Sequence, residues 1–223
     1  MDVMKTIVIF GDSLTWGYDP SNIGLPIGSK IRRFSDEERW PGVMAAELGD
    51  GYRFIVEGLS GRTTVWDDPL EPGRCGAAHL IPVLDSHSPL DMVIIMLGTN
   101  DLKHHLGLGA RDIARGAGIL VDQALHNAAD DFTGEPRVLL ISPPHLGDDV
   151  ENLPGDPSFI DSLAKSKRLA PQFKIIADRY QVEFFDAATV AAPSQIDQVH
   201  LDADQHANLG RAIAPVVRRM LEG

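Results

Sequence analysis

The chain has 223 residues, enough for one domain with a substantial core, and its 43% hydrophobic and 23% charged residues are ordinary for a globular protein. A formal net charge of -12 argues against a general phosphate-backbone binder, because that affinity comes from Lys and Arg, so no nucleic-acid partner is expected. Cys75 is the only cysteine, which excludes an internal disulfide and a thiolate metal cluster and points to a reducing compartment.

The opening "MDVMKTIVIF" has too short an apolar run for a signal peptide, and nowhere does a run of about 18 apolar residues occur. No membrane contact is expected, and a cytoplasmic location is. The first strand is predicted over Lys5–Phe10, and it runs directly into Gly11-Asp12-Ser13. Ser13 there reads either as a nucleophile at a strand-to-helix turn or as the cap of the helix that follows. A long polar loop, 19–40, precedes a short helix over Pro41–Leu48, with Pro41 suited to a first turn.

A second strand, Arg53–Glu57, leads into Gly58-Leu59-Ser60-Gly61-Arg62-Thr63-Thr64. The third, Met92–Leu97, leads into Gly98-Thr99-Asn100-Asp101. Ile113, Ala117, Leu120, Val121, Ala124 and Leu125 then recur at helical spacing. A fourth strand, Val138–Ser142, opens the long loop 143–159 through Pro143, Pro144 and His145. A further helical stripe runs through Leu169, Phe173, Ile176, Ala177 and Tyr180, before a fifth strand at Val182–Phe185. Asp197-Gln198-Val199-His200 precedes the last stripe, which includes Leu209, Ile213 and Val217.

Alternation of strand and helix, with strands apolar on both faces, predicts a single α/β domain of three layers around a parallel sheet. In such sheets ligands gather beyond the carboxyl ends of the strands. Each polar cluster above falls on that edge. A hydrolytic serine needs a base, a group to orient the base, and donors for an oxyanion. Ser13, His200 and Asp197 fit the first three roles. The N–H groups of Ser13 and Gly61 and the amide of Asn100 fit the last. Each signal alone has an ordinary structural reading; their arrival in order at successive strand ends favours the catalytic one.

The blocks Gly11-Asp12-Ser13-Leu14, Gly58–Gly61, Gly98-Thr99-Asn100-Asp101 and Asp197–His200 resemble those of the SGNH hydrolases, the GDSL-type esterases and lipases, across nearly the whole chain. The resemblance implies a flavodoxin-like α/β/α sandwich on a five-stranded parallel sheet. It also implies Ser13 as nucleophile, Asp197 and His200 completing a triad, Gly61 and Asn100 in the oxyanion hole, and no metal or cofactor. The longer stretches GDSLTWGYDP, ERWPGV, EGLSGRTT and VIIMLGTND are similar to those of a branch of cytoplasmic bacterial arylesterases that includes an acyltransferase/perhydrolase. Members of that branch act on short acyl chains and form ring-like homo-oligomers. The acyltransferase carries Ala where this chain has Gly61, so transfer to alcohols or peroxide stands as an alternative to hydrolysis of a small-molecule ester.

Trp16 and Trp40 are candidates for an acyl or aryl pocket, with core packing as the competing reading. Phe159 and Leu153 are candidates for a lid or a subunit contact. The pair His104-His105 suggests metal binding only weakly, and His206 does so no better. A non-catalytic module holding a phosphate at the same edge is the reading from another class, although Asp12 would repel such an anion.

Overall fold

The computed structural model describes residues 4–26, 29–127, 134–153 and 157–223. Its strands are β1 (Lys5–Gly11), β2 (Tyr52–Gly58), β3 (Met92–Met96), β4 (Arg137–Ser142) and β5 (Glu183–Asp186). They form one sheet in the order β2-β1-β3-β4-β5, and every pairing is parallel. The helices are α1 (Ser13–Trp16), α2 (Trp40–Leu48), α3 (Gly76–His87), α4 (Ala110–Asn127), α5 (Leu163–Ser166), α6 (Leu169–Tyr180) and α7 (Ala203–Glu222).

Successive side chains of a strand point to opposite faces, and the core divides accordingly. Val8 and Phe10, with Val93, Ile95 and Leu140, pack under α3, α4 and α6. Ile7 and Ile9, with Ile94, Met96 and Ile141, pack under α2 and α7. This two-sided cover explains the unbroken apolar runs of β1, β3 and β4. At the two edges, β2 and β5 are only half-buried.

The expected strands and helices are present, with strand ends displaced by a residue or two; α4 and α7 extend beyond their stripes at both ends, and α6 begins and ends with its stripe. The reading in sequence overlooks α3. That helix contains Pro82, which masks the helical pattern, while Leu80 and Leu84, one turn apart, anchor it in the core. Within the loop 19–40, Asn22 holds Arg32 by a reciprocal pair of hydrogen bonds, each 2.8 Å, so this segment is tied down by its own side chains. Residues 27–28 of that loop, and 154–156 of the loop 143–159, lie outside the described residues. Among the described residues, no helix is long and apolar enough to cross a membrane.

Trp40 corrects an expectation. It is fully buried at the start of α2, in the core shared with α7. Its backbone N–H donates to Nδ1 of His206 at 3.3 Å. A side chain sealed beneath two helices cannot meet a substrate, so the core reading holds. His206 stands edge-on to Phe34, at 5.2 Å between rings. Burial, followed by the nearby charges of His200 and Arg39, pushes its pKa down to about 4. Close contact between α2 and α7 requires Gly210, where a Cβ would lie 2.6 Å from the Trp40 carbonyl oxygen and 3.0 Å from the Met44 nitrogen.

Two outcomes follow from this packing. Gly210→Ala improves helix propensity but drives a methyl into α2 backbone, and overpacking of that kind costs roughly 1–3 kcal/mol. The melting temperature should therefore fall by several degrees. For His206, the folded pKa lies below the unfolded value, so the unfolded chain binds more protons between about pH 6.5 and 4. Stability should drop as pH falls through that window, and more steeply than in His206→Asn, in which every other group still titrates. Melting curves across this range measure the difference in slope.

Candidate active site

Strand order reverses between β1 and β3, and a crevice opens beyond their carboxyl ends. Asp12 caps α1, its Oδ1 accepting from the Leu14 N–H at 2.9 Å. The cap and the candidate nucleophile are thus adjacent residues, and Ser13 keeps its hydroxyl free for another partner. Because α1 is a single turn, its dipole contributes little, and placement matters more than helix charge. Burial pushes the Asp12 carboxyl up to about 6, against the opposing effects of the Leu14 N–H and of the nearby His200 and Arg62 charges.

His200 Nε2 lies 2.9 Å from Ser13 Oγ, and His200 Nδ1 lies 2.7 Å from Asp197 Oδ2. The three-residue spacing is what allows the second contact. Asp197 Oδ1 accepts from the N–H groups of Val199 and His200, at 3.0 and 2.9 Å, and folds the segment back on itself. Gln198, inside this turn, takes φ +61°. Its carbonyl accepts from the Gly147 N–H at 2.8 Å, which ties the turn to the loop after β4. Burial favours the neutral form of Asp197, but the His200 hydrogen bond and charge, with the two backbone donors, outweigh it and hold the carboxyl below its ordinary value. An ionised Asp197 keeps the proton on Nδ1 and leaves Nε2 to accept from the Ser13 hydroxyl.

Opposite His200 stand Gly61 and Asn100. Gly61 takes φ +80°, a conformation that side chains resist. Its loop is clamped by Arg62, which donates to the carbonyls of Gly11, at 2.9 Å, and Glu57, and lies 4.0 Å over the Phe10 ring. Burial lowers the Arg62 pKa to about 10, which still leaves it charged at neutral pH. Asn100 donates one amide hydrogen to the Arg62 carbonyl at 3.1 Å, and its second remains for the crevice. Behind it, buried Asp101 accepts from the Thr64 N–H and hydroxyl. Burial raises Asp101 to about 7, despite those donors.

Ser13, Gly61, Asn100 and His200 all border one cleft of about 270 Å³. The structure brings Asp197 behind it, against His200. Trp16 is not on the wall; its ring sits 4.9 Å under the Arg33 guanidinium, which corrects its assignment to a pocket. Phe159 does border the cleft, whereas Leu153 packs against the core. His105 Nε2 lies 2.9 Å from Asp68 Oδ1, and His104 faces Asp161 at 3.6 Å, so the two adjacent rings serve different partners. Reasoning from sequence missed Tyr18, whose ring lies 4.3 Å from that of His200 at 31°. It also missed Lys103, three residues past Asn100, and Glu71, on a loop of its own; both border the cleft and carry no motif.

Residues 9–209 match the model of the GDSL-like lipase/acylhydrolase family. The chain is similar to the aryl esterase of M. smegmatis, with 40% identity, coverage of 97% of this chain and 100% of that one, and a TM-score of 0.88. It is similar also to a carbohydrate acetylesterase from Sinorhizobium meliloti, with 41% identity, coverage of 97% and 99%, and a TM-score of 0.87. A comparison with curated proteins gave no match.

Asp197→Asn retains the shape of the turn but supplies no charge and can hold the wrong imidazole tautomer. Hydrolysis of 4-nitrophenyl acetate should fall about 10⁴-fold, with an unchanged circular dichroism spectrum.

Proposed function

The chain belongs to the GDSL-like lipase/acylhydrolase family, and from that membership we propose that it is a serine esterase for short-chain acyl esters, working through an acyl-enzyme on Ser13. The observation that carries this reading is the continuous relay from Asp197 through His200 to Ser13, at 2.7 and 2.9 Å, ending in a cleft of only about 270 Å³. A binding-only module is set aside by membership of a hydrolase family.

In the proposed reaction, Ser13 Oγ attacks the ester carbonyl carbon while its proton passes to His200 Nε2. Charge gathers on the former carbonyl oxygen, where the N–H groups of Ser13 and Gly61 and the free amide hydrogen of Asn100 receive it. Asp197 stabilises the imidazolium. The intermediate collapses, the bond to the alcohol oxygen breaks, and His200 returns the proton to the departing alcohol. Water then attacks the acyl-enzyme, giving its proton to His200, and the acid leaves as Ser13 recovers its hydrogen. Aryl acetates and acetylated carbohydrates are the substrate classes that the similar enzymes' names suggest. An alcohol that replaces water in the second half would make the ester of that alcohol instead, by the same residues.

Ser13→Ala should lower the turnover of 4-nitrophenyl acetate on the order of 10⁴-fold or more and abolish labelling by a fluorophosphonate probe. Asn100→Ala should cost about 10²- to 10³-fold in kcat while labelling persists at a lower rate. Wild-type turnover in Ser13→Ala would refute the assignment. Analysis of products with added alcohol measures the division between hydrolysis and transfer.

A further inference from the structure

On the wall of the cleft beside Gly61 lies an ion pair that the reaction does not use. Lys103 Nζ is 2.7 Å from Glu71 Oε1 and 3.2 Å from Asp68 Oδ2. Asp68 is buried and accepts as well from His105 Nε2 and the Leu70 N–H, each at 2.9 Å. Lys103 is therefore already balanced by Asp68, and Glu71 is a second carboxylate on the same ammonium. Its side chain is 45% exposed, and its other oxygen rests on Gly61, 2.1 Å from where a Cβ would stand. Glu71 thus presents a half-exposed, hydrated carboxylate to the cleft, paired with Lys103 and near Arg74, against the loop of Gly61.

The orientation of an ester follows from proton transfer. His200 must reach the departing alcohol oxygen, so the alcohol half lies on its side, where a further hollow of about 100 Å³ is bordered by Tyr18, Ile23 and Phe159. The acyl half is left with the side of Gly61, Lys103 and Glu71. An acetyl group directs only one methyl toward the pair. A longer alkyl chain must lie against it and strip water from a carboxylate without offering a hydrogen bond in return, which opposes the gain from burying each added methylene.

We propose that Glu71, held by Lys103, is a specificity-determining residue that closes the acyl side of the cleft to long apolar chains. This rests on the esterase reading above and assigns the residue that limits its acyl range. Among described residues, the charged and titratable groups meeting this wall are Lys103, Glu71, Asp68, His105 and Arg74, whose Nε lies 3.4 Å from where a Gly61 Cβ would stand.

The test compares kcat/KM for 4-nitrophenyl acetate and hexanoate in wild type, Glu71→Gln and Glu71→Leu. Lys103 keeps Asp68 in both variants, so the local ion pair survives, and melting curves check the fold; Glu71→Gln, nearly the same shape, serves if the leucine variant does not fold. The hexanoate-to-acetate ratio should rise at least tenfold in Glu71→Leu and a few-fold in Glu71→Gln, chiefly through a lower KM for hexanoate. A ratio within twofold of wild type in the folded variants would overturn the proposal. So would a change that follows the length of the alcohol in a series of alkyl acetates rather than that of the acyl chain. Absence of any Ser13-dependent turnover or fluorophosphonate labelling in wild type would be a different failure, that of the esterase reading itself.

Discussion

A parallel sheet covered by helices on both faces has almost nowhere to keep polar chemistry except the ends of its strands. That constraint governs this molecule. The central strands β1, β3 and β4 are apolar on both sides because α2 and α7 lie over one face and α3, α4 and α6 over the other. Polar side chains in those strands would need partners that neither layer provides. Chemistry therefore begins at the residue where each strand ends, and the reversal of strand order between β1 and β3 leaves a crevice there.

Ionisable groups brought to such an edge are buried here, and three of them are matched by named partners. Asp101 is held by Thr64, Arg62 by two carbonyls and the face of Phe10, and Asp68 by Lys103 and His105. None of these needs to touch a substrate. They fix the loops that carry Gly61 and Asn100, and so set the positions of the donors that the proposed mechanism assigns to the oxyanion. The same logic places Asp197: its two backbone hydrogen bonds shape the turn, and its remaining oxygen orients His200. One carboxylate does both jobs because the spacing Asp-x-x-His brings backbone and imidazole to opposite oxygens.

Much of the candidate site is legible in the chain because its signals are local. Gly-Asp-Ser, Gly-Thr-Asn-Asp and Asp-x-x-His are short, and their order along strand ends carries meaning even before folding. Strand periodicity was equally readable, since burial on both faces produces runs such as Val93–Leu97. The failures have physical causes too. Pro82 hid α3 because its anchors in the core, not the propensity of its residues, make that helix. Trp40 has the composition of a pocket wall, but the approach of α7 at Gly210 seals it into the core.

By itself, then, the sequence determined the layered α/β architecture and the residue types available at the carboxyl edge of the sheet, because both depend on periodicity and on contacts between near neighbours. Only the tertiary structure decided which side chains share the cleft. The Tyr18 ring leans on that of His200 across the chain, and Glu71 meets Lys103 from a loop 32 residues away. Such pairs arise from how loops close over the strand ends, a property of the whole packed sheet. No local pattern encodes it.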